Sequence, residues 1–515
     1  MNGAQTLVAT LADHEVEICF ANPGTSEMHF LAALDGGRLR SVLCLFEGVA
    51  TGAADGWYRM HDKPAATLLH LGPGLANGLA NIHNARRASS GMVNVVGEHA
   101  LAHLKYDPPL TSDIEGLARP LSHWVRRVDS AENIAWDAAA AVAQANAHPG
   151  RIATLILPGD SSWREVGETA VPQRALPAPQ APDPARVEAV AKVLRGGESV
   201  MLVLGNKATR GRALELAGRI AAGTGCRLAS QFFTARIERG AGRTPLERIP
   251  YAVAQATAFL KDVRHLVTLE TREPVAFFSY PGKPSLLKPE GTLVHPLVEA
   301  EEDSALGLEM LAEALGLRAT PPQRQERVET PAPSGALNPV SIAHALAAAM
   351  PEECILVDES LTTGRETMGH TMGARPHDLI NNMGGSIGYA TPVATGAALA
   401  CPARRVFCIV GDGSAMYTIQ SLWTQAREGL NVTTIIFANN QYAILKAEYA
   451  NIGAGTPGAQ AMAMIDIDRP TIDWVAMARS MGVPGVRVDR AEDFHAAMVA
   501  SAREPGPRLI EVKLY

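Results

Sequence analysis

No strong charge of either sign, no paired cysteines and no membrane-length apolar run occur in this sequence. A net charge of −7 over 515 residues is mild. It leaves no electrostatic footprint for nucleic acid or for an anionic membrane surface. The six cysteines are scattered without a C-x-x-C pair, and several sit inside apolar runs, such as Cys44 in Val42–Phe46 and Cys408 in Val406–Val410. They read as buried free thiols in a reducing compartment. The N-terminus lacks the charged, apolar and cleavage regions of a signal peptide. These absences point to a cytoplasmic protein. Short-period repeats and low-complexity tracts are also missing.

What is present suits several cores. The length calls for about three domains. Two stretches rich in proline, 172–184 and 320–339, cannot hold a regular helix or an interior strand, because proline lacks the backbone donor. They divide the chain into 1–171, 185–319 and 340–515. Each segment mixes continuous apolar runs, such as 92–96, 199–205, 405–410 and 433–438, with longer helical patterns. Runs of this kind suit strands buried on both faces of a parallel sheet. The expected fold class is α/β: three domains, each a parallel sheet flanked by helices.

The most informative stretch begins at Val410. A buried strand ends in Gly411-Asp412-Gly413-Ser414, a helical segment is expected over about 417–429, and a second buried strand ends in Asn439-Asn440-Gln441-Tyr442. Glycines let the backbone approach an anion, and a helix N-terminus offers free N–H groups to phosphate. Asp412 and an Asn side chain supply hard oxygens for magnesium, which is held by one or two carboxylates plus phosphate and water. Neighbouring strand ends of an open α/β sheet are where ligands bind. Gly-Asp-Gly alone would fit a loop turn. Joined to the Asn-Asn strand end, it resembles the thiamine-diphosphate signature of the family that contains acetolactate synthase, pyruvate oxidase and benzoylformate decarboxylase. The resemblance implies Asp412, the Asn439 side chain and the Gln441 backbone carbonyl as metal ligands. Counting back from Tyr442 favours Asn439 over Asn440. Gly411, Gly413, Ser414 and Tyr442 would border the diphosphate.

Family enzymes use a glutamate to hydrogen-bond the aminopyrimidine of the cofactor. Phe46-Glu47-Gly48-Val49-Ala50-Thr51-Gly52-Ala53-Ala54-Asp55-Gly56-Trp57 is similar to the pattern around it and makes Glu47 that glutamate. Phe20–Glu27 resembles the loop near the reacting carbon, with Thr25 as a catalytic candidate. His70-Leu71-Gly72-Pro73-Gly74, with Asn77, resembles a second pocket loop. His70 matches an acid/base histidine of benzoylformate decarboxylase, and an imidazole titrates near working pH; a histidine satisfied by backbone partners is the plain structural reading. The second acid/base histidine of that enzyme has no counterpart in Phe232–Tyr251. Gly384-Gly385-Ser386-Ile387-Gly388 resembles the loop that bends the cofactor, with Ile387 between its rings and Ser386 beside it. Asp358–Thr363 lies where family members touch the diphosphate, through Thr362; a helix N-cap by Ser360 or Thr362 fits equally.

The resemblance covers essentially the whole chain. It implies similar folds for the pyrimidine-binding first domain and the diphosphate-binding third, and an active site shared between subunits of a homodimer or homotetramer. The middle segment lacks the loop patterns of the FAD-binding relatives, so thiamine diphosphate and Mg2+ are expected without FAD. The implied activity is decarboxylation or carboligation of a small 2-oxo acid, acetolactate synthase-like. The alternatives are a benzoylformate decarboxylase-like enzyme, an acyl-CoA lyase and a non-catalytic regulatory paralogue.

Overall fold

The computed structural model describes residues 1–167, 176 and 178–514. Part of the first proline-rich stretch, 172–175 and 177, lies outside the described residues. The second runs without helix or strand from 320 to 335 and ends where Asn338 caps the Pro339–Ala349 helix.

Three sheets fit the three expected domains. The first holds β1 (Ile18–Asn22), β2 (Arg40–Leu43), β3 (Ala65–Leu69), β4 (Met92–Glu98), β5 (Trp124–Arg127) and β6 (Ile152–Pro158), in the order β2-β1-β3-β4-β6-β5. All its pairings are parallel. β3, β4 and β6 are buried along their whole length. That is the environment in which unbroken apolar runs, rather than alternating ones, are needed.

The second sheet holds β7 (Val200–Leu204), β8 (Arg227–Ser230), β10 (Glu247–Arg248), β11 (His265–Leu269) and β12 (Leu293–Val298), in the order β10-β8-β7-β11-β12. One strand of the middle segment, β9 (Ile237–Arg239), leaves this sheet and joins the third, antiparallel to its edge. The third sheet then holds β13 (Cys354–Glu359), β14 (His377–Asn381), β15 (Val406–Gly411), β16 (Val432–Ala438), β17 (Gly485–Val488) and β18 (Arg508–Lys513), ordered β17-β18-β16-β15-β13-β14-β9. Apart from β9, read from β14 inward, this is the order of the first sheet, strand for strand. The expected similarity of the first and third domains therefore exists in topology.

The equivalent helices that follow β2 and β14, Glu47–His61 and Ala390–Ala400, pack on each other. They do so backbone to backbone. A Cβ on Gly56 would stand 2.1 Å from the Val393 carbonyl oxygen, and one on Gly396 would stand 1.9 Å from that of Ala53. One turn on, a buried Asp55–Arg59 pair locks the contact: Arg59 bonds both Asp55 oxygens and also the Asn381 carbonyl at 2.6 Å. A buried ion pair persists only when its remaining hydrogen-bonding capacity is satisfied.

The segment after Asp412 departs from expectation. Instead of a helix over 417–429, one turn forms at Asp412–Ala415 and a short helix at Ser421–Arg427. Thr418 interrupts them, because its hydroxyl donates to the Gly388 carbonyl at 2.8 Å and the Thr391 hydroxyl donates to its carbonyl. Among the described residues no helix is long and apolar enough to cross a membrane. Five of the six cysteines are buried and all are free.

Candidate active site

The catalytic candidates of the first domain stand where the chain leaves the C-terminal end of a strand: Thr25 after β1, Glu47 after β2, His70 after β3. Glu47 is the first residue of its helix and is 6% exposed. Asn77 donates to its Oε2 at 3.0 Å. The close packing of Gly74, whose Cβ would lie 3.1 Å from Glu47 Oε1, keeps the other oxygen in a narrow slot.

His70 faces the loop after β1, but its partners are Glu27 and Ser26 rather than Thr25. Glu27 Oε2 lies 2.9 Å from His70 Nδ1, and Ser26 Oγ lies 3.3 Å from the same nitrogen. Glu27 is buried, and its carboxylate also accepts the Gly24 amide and the Ser26 hydroxyl. Gly24 is obligatory here, since a Cβ would fall on the imidazole, 2.0 Å from Nδ1. Thr25 is exposed and, with Ser26, lines a cavity of about 460 Å³. The sequence displayed Glu27 without marking it, because nothing local says that its carboxylate turns toward a residue on another strand.

In the third domain, Asp412 follows β15 and Asn439 follows β16. Asp412 is buried; its Oδ1 accepts the Gly413 amide at 2.8 Å and its Oδ2 the Asn440 amide at 2.6 Å. Burial pushes its carboxyl above the ordinary range, against those amides. Asn440 takes a left-handed backbone (φ 56°) and spends its amide on Asp412. The Asn439 side-chain oxygen accepts the Gln441 amide at 3.1 Å. Tyr442 covers Gly413, where a Cβ would lie 2.3 Å from the ring; above Gly411 nothing stands within 4 Å of such an atom. Ser414 is buried beside them.

The Gly384–Gly388 loop is held from two sides. The Asn84 amide group pairs with both the carbonyl and the N–H of Ser386, and Asn81 donates to the carbonyls of Gly48 and Gly388. Below, Glu359 accepts the amides of Gly388, Tyr389 and Ala390. Burial pushes its carboxyl up to about 8. Ile387 is left partly exposed. Ser360 turns back on Asp358, and Glu366 occupies the N-cap position of the next helix, Thr367–His370, without a side-chain cap bond, so neither Ser360 nor Thr362 is a helix N-cap. Thr362 lies in the intervening turns.

Family models for the N-terminal and C-terminal thiamine pyrophosphate binding domains of thiamine pyrophosphate enzymes match residues 1–118 and 363–512. A candidate acetolactate synthase large subunit of Mycobacterium tuberculosis is 50% identical over 99% of both chains. The chain belongs to the thiamine pyrophosphate enzyme family. The benzoylformate decarboxylase of Pseudomonas aeruginosa is 27% identical over 98% of this chain and 97% of its own. A thiamine diphosphate-dependent 4-hydroxybenzoylformate decarboxylase of Rhodococcus jostii shares the fold, with a TM-score of 0.85 at 23% identity over 100% of this chain and 99% of that one.

For a thiamine pyrophosphate enzyme, the middle domain contributes more than its sequence announced. Phe277 rests on Gly385, where a Cβ would lie 3.1 Å from its ring tip. Its ring belongs to a cluster with Phe233 (centroids 5.6 Å apart), Tyr251 (5.7 Å) and Phe278 (4.7 Å). Phe277 and Phe278 are nevertheless 44% and 55% exposed, beside the Ile387 loop. The segment is tied onward through Lys283, which donates to Asn451 Oδ1 at 2.9 Å on the helix that follows Tyr442.

Proposed function

We propose that the chain is a thiamine-diphosphate- and Mg2+-dependent 2-oxo acid decarboxylase or carboligase of the acetolactate synthase type. The observation that carries this reading is the placement of Glu47: a carboxylate opening a helix, buried, and given one side-chain donor among the described residues, Asn77.

The donor set at the third domain fits the ion. Asp412, the Asn439 side chain and the Gln441 carbonyl are hard oxygens. Among the described residues no group of three or more His, Cys, Asp or Glu could cage a metal. A cation that completes its shell with diphosphate oxygens and water suits such a site. The open space over Gly411 suits the diphosphate.

When bound, the cofactor supplies a nucleophilic carbon and an electron sink for the broken bond. Glu47 holds a proton at the aminopyrimidine, and Asn77 fixes the carboxylate for that bond. Ile387, on a loop held by Glu359 and Asn84, would pack against the bound cofactor and help to shape it. His70, oriented by Glu27, holds or moves a proton at the substrate, with Thr25 at the pocket edge.

Glu47 of one protomer and Asp412 of another then complete each site in a homodimer or homotetramer. Leu45, Met416 and Tyr417, at 46%, 41% and 53% exposed beside these residues, support an apolar contact there. Buried free thiols suit a cytoplasmic setting. A non-ligating decarboxylase of the benzoylformate type is a second reading, favoured by the His70–Glu27 pair and the rings at Gly385.

A panel of 2-oxo acids, assayed for carbon dioxide and for ligated products, tests the proposal. At least one acid should release carbon dioxide from the loaded protein and none from Glu47→Gln. Failure of the wild-type protein to take up thiamine diphosphate with Mg2+ would end it.

A further inference from the structure

Deeply placed arginines in this protein are mostly saturated. Arg59 makes four bonds, Arg405 donates to the carbonyls of Ser501, Glu504 and Gly506, and Arg236 and Arg404 share Asp378. Arg239 and Arg248 differ. Arg239, at the end of β9, is 5% exposed; its Nη2 donates to the Met368 carbonyl at 2.5 Å, and its buried Nη1 has no partner among the described residues. Arg248, at the end of β10, is partly buried. Its guanidinium lies 3.9 Å from the Phe232 ring centroid, and among the described residues it forms neither a hydrogen bond nor an ion pair.

Burial and the neighbouring Arg248 push Arg239 down to about 9. Asp358, whose charge acts on both, forms no ion pair with either among the described residues, and its Oδ1 accepts the Ser360 amide and hydroxyl. Thr367, next to Met368, adds a buried hydroxyl without a partner. Two cations and an unused hydroxyl in low dielectric are costly unless an anion joins them.

We propose that Arg239 and Arg248 form an anion-binding site at the seam of the second and third sheets, which takes the carboxylate or phosphate of a small organic molecule. Arg248, partly exposed over Phe232, would be the outer cation of the site and the buried Arg239 the inner one. A guanidinium fork matches either group in two-point fashion, which an ammonium cannot do. The site goes beyond the proposed reaction and does not depend on it.

The test is calorimetric titration with inorganic phosphate and, separately, benzoate. It is run on protein loaded with thiamine diphosphate and Mg2+, and on unloaded Asp412→Asn protein so that the diphosphate position does not contribute. At least one probe should bind one-to-one to both preparations; the probe that binds tells phosphate from carboxylate recognition. Arg248→Gln and Arg239→Gln should each weaken binding by at least about tenfold. Arg248→Lys should lose part of the binding, and the surface variant Arg212→Gln should bind as the wild type does. Near-UV circular dichroism checks that each variant is folded; should Arg239→Gln fail to fold, Arg248→Gln decides alone. Absence of binding by both probes at millimolar concentration, or undiminished binding by Arg248→Gln, overturns the proposal.

Discussion

Glu27 Oε2 lies 2.9 Å from His70 Nδ1, and that carboxylate is itself fixed by the Gly24 amide and the Ser26 hydroxyl. A carboxylate so held sets the imidazole's orientation, which under the proposed function leaves Nε2 for the substrate. Glu27→Gln should lower kcat by about 10²-fold, the lower end of what a placed proton-transfer group contributes, with little change in KM. The pH profile of kcat should shift with it. Unchanged kcat in a folded variant would remove Glu27 from the site.

Asp412→Asn should weaken Mg2+-dependent uptake of thiamine diphosphate by at least about tenfold, since removing one charged oxygen removes most of the protein's contribution to a magnesium shell. Equilibrium dialysis reads this directly. Uptake equal to wild type would place the metal elsewhere.

Phe277→Ala should act on substrate choice. A ring that rests on Gly385 beside Ile387 offers a flat apolar surface, worth about 0.5–1.5 kcal/mol beyond area in a ring–ring contact. The KM for phenylglyoxylate should rise about tenfold, while that for pyruvate changes little. Equal shifts for both substrates would count against a role in selection.

Gly56→Ala places a methyl 2.1 Å from the Val393 carbonyl oxygen, on a rigid backbone. Overpacking of this kind costs about 1–3 kcal/mol. The urea midpoint should fall accordingly. Gly369→Ala, where a Cβ meets nothing within 4 Å, serves as the near-neutral control.

His123 gives a pH prediction. Burial, with Arg86 and Arg151 nearby, lowers its pKa to about 4, and its Nδ1 accepts the Ile152 amide at 3.0 Å. The folded-state value is depressed below the unfolded one, so the unfolded chain binds the proton first. The stability it contributes is present above about 6.5 and is lost as pH falls through about 4. Unfolding free energy measured from pH 7 to 4 should decline less steeply in His123→Gln.

Much of the site was legible because its residues follow apolar runs that could only be buried strands. Asp412, Asn439, Glu47 and His70 all stand at such ends. What stayed hidden is what tertiary structure alone brings together. Glu359 and Asn84 grip the Gly384–Gly388 loop from segments far away in sequence. β9 is only three residues long, and nothing in so short a run tells which sheet it will join. The helix expected after Asp412 failed at Thr418, whose side-chain bonds to a neighbouring loop outweigh local helical preference.

The matching strand orders of the outer two sheets have a consequence for how the chemistry is divided. His70 follows the third strand of one sheet and Asp412 the third strand of the other; Glu98 and Asn439 stand likewise at the fourth. One scaffold thus occurs twice along the chain, and under the proposed function its two copies would divide the work at the same addresses, one moving protons and the other gripping a charged anchor. Exchanging residues between those addresses would ask whether the frame or the side chains decide which task each copy performs.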